Sequence, residues 1–334
     1  MDTTPELPPL VDLLAAAHVV RLPLRTRFRG ITEREALLLD GPAGWGEFSP
    51  FLEYGPAESS RWLAAGIEAG WHGWPAPHRG RVEVNATVPA VPAAAVAGVL
   101  ATFPGCRTAK VKVAEPGQGL ADDLDRVRAV REVLGPQGRV RIDANTLWSV
   151  DEAERALSEL AVAGLEYAEQ PCRTLEEMAE LRRRLARAGT PVLLAADESI
   201  RKAEDPLRVA GLEAADVVVV KVAPLSGVRA ALDVVVACGL PAVVSSALDT
   251  SVGLAGGLAL AAALPELPFA CGLGTAALLA ADVRADPLLP VDGAIAVGPA
   301  AADPELLERH RAPADRERWW RERLAAAYAE LPPA

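Results

Sequence analysis

The stretch "RVRIDANTLWSVDEAERALSELAVAGLEYAEQ", residues 139–170, reads as a strand, a helix and a second strand. Its ends, "RVRIDAN" and "LEYAEQ", are short and rich in β-formers. The segment between them carries apolar residues at helical spacing and stops at Gly164. Ser149 opens that segment and Glu152 follows three residues on, a capping-box pattern that marks where the helix starts. A carboxylate stands at the end of each strand, Asp143 in the first and Glu169 in the second.

The same unit repeats on both sides. β-rich runs fall at 81–88, 108–113, 139–145, 165–170, 191–198, 216–222, 241–247 and 268–274, with amphipathic Ala/Leu/Arg-rich stretches between them. Eight strands alternating with helices at roughly 25–30 residue steps predict an α/β fold, a parallel (β/α)8-type barrel over residues 81–285. An open doubly wound sheet is the alternative. It usually has fewer strands and a Gly-rich phosphate loop after the first, whereas "PAVPAAAVAG" follows the first run here. Residues 1–80 do not share the rhythm. "HVVRLPLRTRFRG" and "REALLLDGPAGWGEF" read as strands joined by turns and "AESSRWLAAGIEAG" as a helix, so a small α+β N-terminal domain is expected. Residues 286–334 form a polar, helical tail expected to pack on the barrel or on that domain.

Composition narrows the function classes. Of 334 residues, 51% are apolar, enough for a sizeable core. The net charge of −11 and the lack of a basic block argue against nucleic acid as a partner. Four scattered cysteines form no CxxC pair, so neither a zinc site nor a disulfide framework is expected. The opening "MDTTPELPPLVDLL" has acids and prolines where a signal peptide has a basic start, which points to the cytoplasm. The most apolar region, 252–281, is interrupted by Pro265, Glu266 and Pro268 and reads as a buried helix and strand, not a membrane span. Monomer and homo-oligomer are both left open.

The active site of a parallel barrel lies at the C-terminal ends of its strands, so the residues there test the reading. The second run ends in Lys110 and Lys112, which alternation places on one face. The third ends in Asp143 and Asn145, the fourth in Glu169, the fifth in Asp197 and Glu198, the sixth in Lys221. Three carboxylates at one mouth repel one another unless a cation holds them. Hard oxygen donors without Cys or His favour Mg2+, or Mn2+, and leave places for a substrate carboxylate. The metal then stabilises charge that develops when the adjacent carbon loses a proton. A lysine whose pKa is depressed by burial and a neighbouring cation can take that proton. One of Lys110 and Lys112 fits this part, and Lys221 would approach from across the barrel, while Lys110 and Glu198 are open to a tuning role. His18, His72, His78 and His310 all lie away from these ends, and no GxSxG or P-loop occurs.

These motifs resemble the enolase superfamily, in the muconate lactonizing enzyme-like branch with a lysine on each side of the substrate: Lys-x-Lys at 110–112, "DAN" at 143–145, "EQP" at 169–171, "ADES" at 196–199 and Lys221. The resemblance covers nearly the whole chain. It implies that Asp143, Glu169 and Asp197 ligate Mg2+ and that Lys112 and Lys221 are the acid/base pair. "RFRGITEREALLL", "GWGEFSPFLEY", "VVSSALDTSVGLA" and "GLGTAALLAADV" are similar to the o-succinylbenzoate synthase family. That family dehydrates 2-succinyl-6-hydroxy-2,4-cyclohexadiene-1-carboxylate, a small dicarboxylate, to 2-succinylbenzoate on the way to menaquinone, through an enediolate. Ser245 and Ser246 are candidates to bind the succinyl carboxylate and Arg29 to contact the substrate; turn chemistry and a surface position explain them equally simply. Thr146 and Leu147 stand where relatives have smaller residues. Three other readings remain. A two-base N-acylamino acid racemase or dipeptide epimerase would use the same lysines, a Schiff-base aldolase would use one of them without the carboxylates, and a binding-only barrel would use none catalytically.

Overall fold

The run "EALLLD" in the N-terminal segment lacks polar alternation, and its packing explains why. The computed structural model describes residues 7–28, 30–200 and 205–332. Ala17–Phe28 (β1), Ile31–Gly41 (β2) and Gly44–Phe48 (β3) form an antiparallel sheet with β2 in the middle. Neighbouring residues on a strand point to opposite faces. Leu37 and Leu39 pack with Phe48, Trp62, Leu63 and Trp320, whereas Ala36 and Leu38 pack with Val252, Leu279 and Val283. A sheet covered on both sides needs no polar residue on either. One face takes the helix Pro56–Ile67 and the tail helix Ala314–Ala329, and the other rests on the barrel as a cap. Gly46 lies so close to the Gly66 carbonyl of the overlying helix that a Cβ would collide with it.

Arg81–Glu83 (β4) leads into the barrel. Ala86–Val88 (β5), Thr108–Lys112 (β6), Arg139–Asp143 (β7), Leu165–Glu169 (β8), Leu194–Ala196 (β9), Val217–Val220 (β10) and Ala242–Val244 (β11) make a parallel sheet in sequence order. The sheet curls until its two edges are joined by Cys271 and Gly272. Cys271 bridges to Val84 beside β5, and Gly272 bridges to Ser245 beside β11. The predicted eighth strand, 268–274, is thus contracted to two bridging residues. A side chain at Gly272 would fall 2.6 Å from Ser245 Oγ, which leaves room for little more than backbone there. The predicted first strand, 81–88, is divided, and β4 pairs antiparallel with Ala294–Ala296 (β12).

The helix starts follow local chemistry. Ser149 and Thr174 each accept from the backbone of the Glu three residues on, and those glutamates reach back to the cap N–H groups. Outward-facing residues such as Val111, Ile142 and Ala168 pack under the helices in the main core. The helix Ser251–Ala263 is buried almost all round, and among the described residues no helix is long and apolar enough to cross a membrane. All four cysteines are free thiols.

Two contacts tie cap, tail and barrel together. Trp320 of the tail is fully buried, edge-on to Phe48 at 5.9 Å, and its Nε1 donates to Glu35 at 2.8 Å. Glu47 on β3 accepts from Thr250 N, Thr250 Oγ1 and Gly253 N at 3.1, 2.7 and 3.1 Å, which caps the first turn of the buried helix. Burial, and then the neighbouring Asp249, push the Glu47 carboxyl up to about 7, against hydrogen bonds from Ser49 and Thr250 and the charge of Arg34.

Trp320→Ala removes a large buried ring and is expected to lower the unfolding free energy in urea by about 3–5 kcal/mol. The Glu47 carboxyl is raised above its unfolded value, so the stability it contributes is full at acid pH and is lost as pH rises through its folded value. Urea stability should therefore fall between pH 5 and 8 (approximate limits set by the two values), and Glu47→Gln should flatten that fall.

Candidate active site

Register decides which side chains stand together at the barrel mouth. Lys112 on β6 is level with Asp143 on β7, and Asp143 with Glu169 on β8. Asp197 and Lys221 come one residue after β9 and β10. On the closed ring, β6 and β10 are separated by β7, β8 and β9 one way, and by β5, the Cys271–Gly272 link and β11 the other. Lys112 and Lys221 thus face each other across the mouth, and the carboxylates occupy the arc between them.

Strand β8 reaches this arrangement through a bulge. Val140 pairs with Leu165, yet Arg141 pairs with Tyr167, so Glu166 is an extra residue. Leu165 packs in the outer core while Tyr167 packs inside the barrel with Val217, Val219, Val243 and Phe269. In a regular strand, residues 165, 167 and 169 would share a face. The slip is what turns Glu169 inward. Arg141, fully buried, pairs with Glu166 and donates to Asn85 Oδ1 and the Ala270 carbonyl at 3.2 and 2.6 Å.

The charges alternate. Lys110 Nζ lies 2.6 Å from Glu169 and 3.2 Å from Asp143, Lys112 Nζ lies 2.5 Å from Asp143, and Lys221 pairs with Asp197. Burial works against a charge on Lys110, but Glu169 and Asp143 outweigh it and hold its pKa well above the ordinary range. For Lys112, burial together with Lys110 outweighs Asp143, and the pKa is lowered. Burial works against ionised Asp143 as well, but Lys112 and Lys110 hold its carboxyl far below the ordinary range. Burial, then Asp143, push Glu169 up to about 8.

Loops behind the ring hold it in place. Asn145 has a left-handed backbone, with φ of 45°; its N–H donates to Asp143 at 3.1 Å, its Oδ1 accepts from Lys112 at 2.6 Å, and its Nδ2 donates to Glu198 at 3.2 Å. Gln170, whose φ is 39°, accepts from the N–H groups of Asp197 and Ser199 and donates to Ser199 Oγ and the Cys172 carbonyl. One pocket is lined by Lys110, Lys112, Asp143, Asn145, Asp197, Lys221, Ser245 and Ser246. Glu169 sits against Lys110, and Glu198 reaches the site through Asn145. Arg29 lies outside the described residues. The sequence reading missed Phe28, Thr87, Leu248 and Thr275, which also line the pocket. Phe28 comes from the cap, 5.6 Å from Lys112 Nζ, and nothing in its local pattern announces it. Thr87 alternates with Asn85 on its strand, a readable polar face. Thr275 Oγ1 shares a hydrogen bond of 2.5 Å with Ser246.

Among the described residues, no three His, Cys, Asp or Glu side chains are gathered as a ready metal cage. The carboxylates are turned toward the lysines instead. Two observations nonetheless fit a divalent cation. Glu169 Oε2 is buried without a hydrogen-bond partner, and the donors are hard oxygens with neither thiol nor imidazole among them.

Comparison with known proteins identifies the family and the fold. Residues 93–301 match the family model described as enolase C-terminal domain-like, and residues 19–70 match enolase N-terminal domain-like. The o-succinylbenzoate synthase of Mycolicibacterium smegmatis is 57% identical over 97% of this chain and 98% of its own. That of Mycobacterium leprae is 56% identical over 98% and 96%. In fold, the muconate lactonizing enzyme of Pseudomonas fluorescens, solved with muconolactone, superposes with a TM-score of 0.76 at 22% identity, over 89% of this chain and 98% of that one. The chain belongs to the enolase superfamily and, within it, to the o-succinylbenzoate synthase family, a family of hydro-lyases.

Lys110→Met leaves two buried carboxylates without their shared cation. It is expected to lower the unfolding free energy by about 3–5 kcal/mol in urea titrations, whatever its effect on turnover.

Proposed function

We infer that this enzyme dehydrates 2-succinyl-6-hydroxy-2,4-cyclohexadiene-1-carboxylate to 2-succinylbenzoate, a cytoplasmic step toward menaquinone. The observation that carries the reading is the placement of Lys112 and Lys221 on opposite sides of one mouth, with Asp143, Glu169 and Asp197 between them. The near full-length identity to o-succinylbenzoate synthases supports it. In domain terms, residues 1–80 are the cap, 81–285 the catalytic barrel and 286–334 the segment that ties them.

Lys112 is the base. Burial and Lys110 lower its pKa, so an uncharged amine is more accessible to it than to an ordinary lysine. It takes the α-proton, and the electron pair of the broken C–H bond is delocalised onto the adjacent carboxylate. The same ammonium then protonates the departing hydroxyl: the pair returns to form the ring double bond as the C–O bond breaks, and water leaves from the face the proton left. Asn145 and Asp143 hold the Lys112 nitrogen between two acceptors and fix its aim. Lys221, anchored by Asp197, offers positive charge from the other face and need not exchange a proton. Asp143, Glu169 and Asp197 would hold Mg2+ or Mn2+, which when bound supplies a Lewis acid for the charge developing on the substrate carboxylate. Ser245 and Ser246, which line the same pocket, would receive the second carboxylate of the dicarboxylate substrate.

The test is conversion of the cyclohexadiene with and without a chelator. Activity should vanish with EDTA and return with Mg2+, and Lys112→Ala and Lys221→Ala should each lose about 10²–10⁴ in kcat. Rapid α-hydrogen exchange of N-succinyl amino acids in D2O, without dehydration of the cyclohexadiene, would replace this reading by racemisation.

A further inference from the structure

The pocket wall contains a backbone conformation that its own sequence does not favour. Leu248 has φ of 64°, a left-handed geometry costly for a branched-chain residue without glycine's freedom. Ala247 and Leu248 both line the pocket, and both are almost fully buried. Something must hold this turn, and the holder comes from the cap. Arg34 on β2, itself only 3% exposed, donates Nε to the Leu248 carbonyl at 3.1 Å and Nη2 to the Ala247 carbonyl at 3.4 Å. The same guanidinium donates to the carbonyl and the hydroxyl of Ser49 and stacks over Phe51 at 4.7 Å. From the other side, Asp249 accepts from the Ala247 N–H at 3.1 Å.

We propose that Arg34 is a specificity-determining positioning residue, which clamps the Ala247–Leu248 turn from the cap and so sets the shape of the substrate pocket. The reasoning is geometric. The turn follows Ser245 and Ser246 directly, so a change in its course moves the wall and the hydroxyl pair together. Guanidinium suits the task because one rigid, planar group spans two carbonyls of the barrel and one of the cap. Arg34 is not among the residues that line the pocket, and its hydrogen bonds run to Ala247, Leu248 and Ser49. Its effect is therefore expected first in how the substrate fits, through the wall that the turn forms. The proposal rests on the dehydratase reading for its substrate, but not for the strained turn itself.

A double-mutant cycle tests it. Arg34→Met should raise KM for the cyclohexadiene about tenfold or more, the scale on which release of such backbone strain can shift an equilibrium. Mn2+ affinity, read by electron paramagnetic resonance, should change by less than about twofold, since among the described residues none of the hydrogen bonds made by Arg34 runs to Asp143, Glu169 or Asp197. Leu248→Asn supplies a residue that tolerates the left-handed region, so Arg34→Met should cost much less in the Leu248→Asn background. Arg34→Lys, which keeps a cation and fewer donors, carries the same cycle if Arg34→Met does not fold. Amide exchange over residues 245–250 should rise in the Arg34 variants, and this readout does not depend on turnover. An additive cycle, an unchanged KM or unchanged exchange overturns the clamp. Absence of dehydration by the wild type, with exchange raised in the variants, overturns the functional reading and leaves the clamp standing.

Discussion

Buried charge must be matched, and at the mouth of this barrel it is matched strand by strand. Asp143 and Glu169 are almost completely shielded from water, and neither could remain ionised there alone. Parallel register sets Lys112, Asp143 and Glu169 side by side, and Lys110 lies one layer below, between the two acids. The amines keep the acids from repelling each other, and the acids keep the amines aimed. The ring is thereby both a structural necessity and a set of reactive groups, since any ligand that enters must exchange contacts with charges already committed to one another. The unequal result follows from position: Lys110 touches two carboxylates, which outweigh its burial, whereas Lys112 touches one, and burial with the charge of Lys110 outweighs its acids.

The cap completes what the barrel cannot supply. Barrel loops reach over the mouth but leave their own backbone to be satisfied, and residues from β2 and β3 do this. Arg34 takes up carbonyls of the turn after β11, while Glu47 takes up free N–H groups of the helix that follows it. Phe28, at the end of β1, contributes an apolar wall beside Lys112. The tail then fastens the cap from outside through Trp320 and through Arg323, which donates to the carbonyls of Pro50, Phe51 and Tyr54. The pocket is thus lined by cap and barrel together, and the tail holds the cap to its side of it.

Much of this could be read from the chain. Repeated strand–helix units announced the barrel, because hydrophobic period and capping boxes are local properties. The charged residues at strand ends stood out because each follows an apolar run, and their order along the chain became their order around the mouth. What could not be read depends on contacts distant in sequence. The eighth strand looked like its predecessors, yet Gly272 is pressed against Ser245 and only two residues bridge. Phe28, Leu248 and Arg34 owe their roles to docking of the cap, which no periodicity encodes. Gln170 was visible as part of "EQP", but its task of holding the Asp197 loop appears only when the two loops are brought together.

The supernumerary residue on β8 has a bearing on how relatives of this enzyme can be recombined. Counted from the outward-facing Leu165, Glu169 falls on the inner face because Glu166 is absorbed as an extra residue, and Arg141 holds that break closed. Deleting Glu166 would restore a regular ladder in which Glu169 still meets Asp143, but it would strip the buried guanidinium of Arg141 of its carboxylate. Grafts that exchange this segment with a homologue must therefore match length to bulge: a β8 without the bulge keeps its carboxylate inward only if it is one residue shorter.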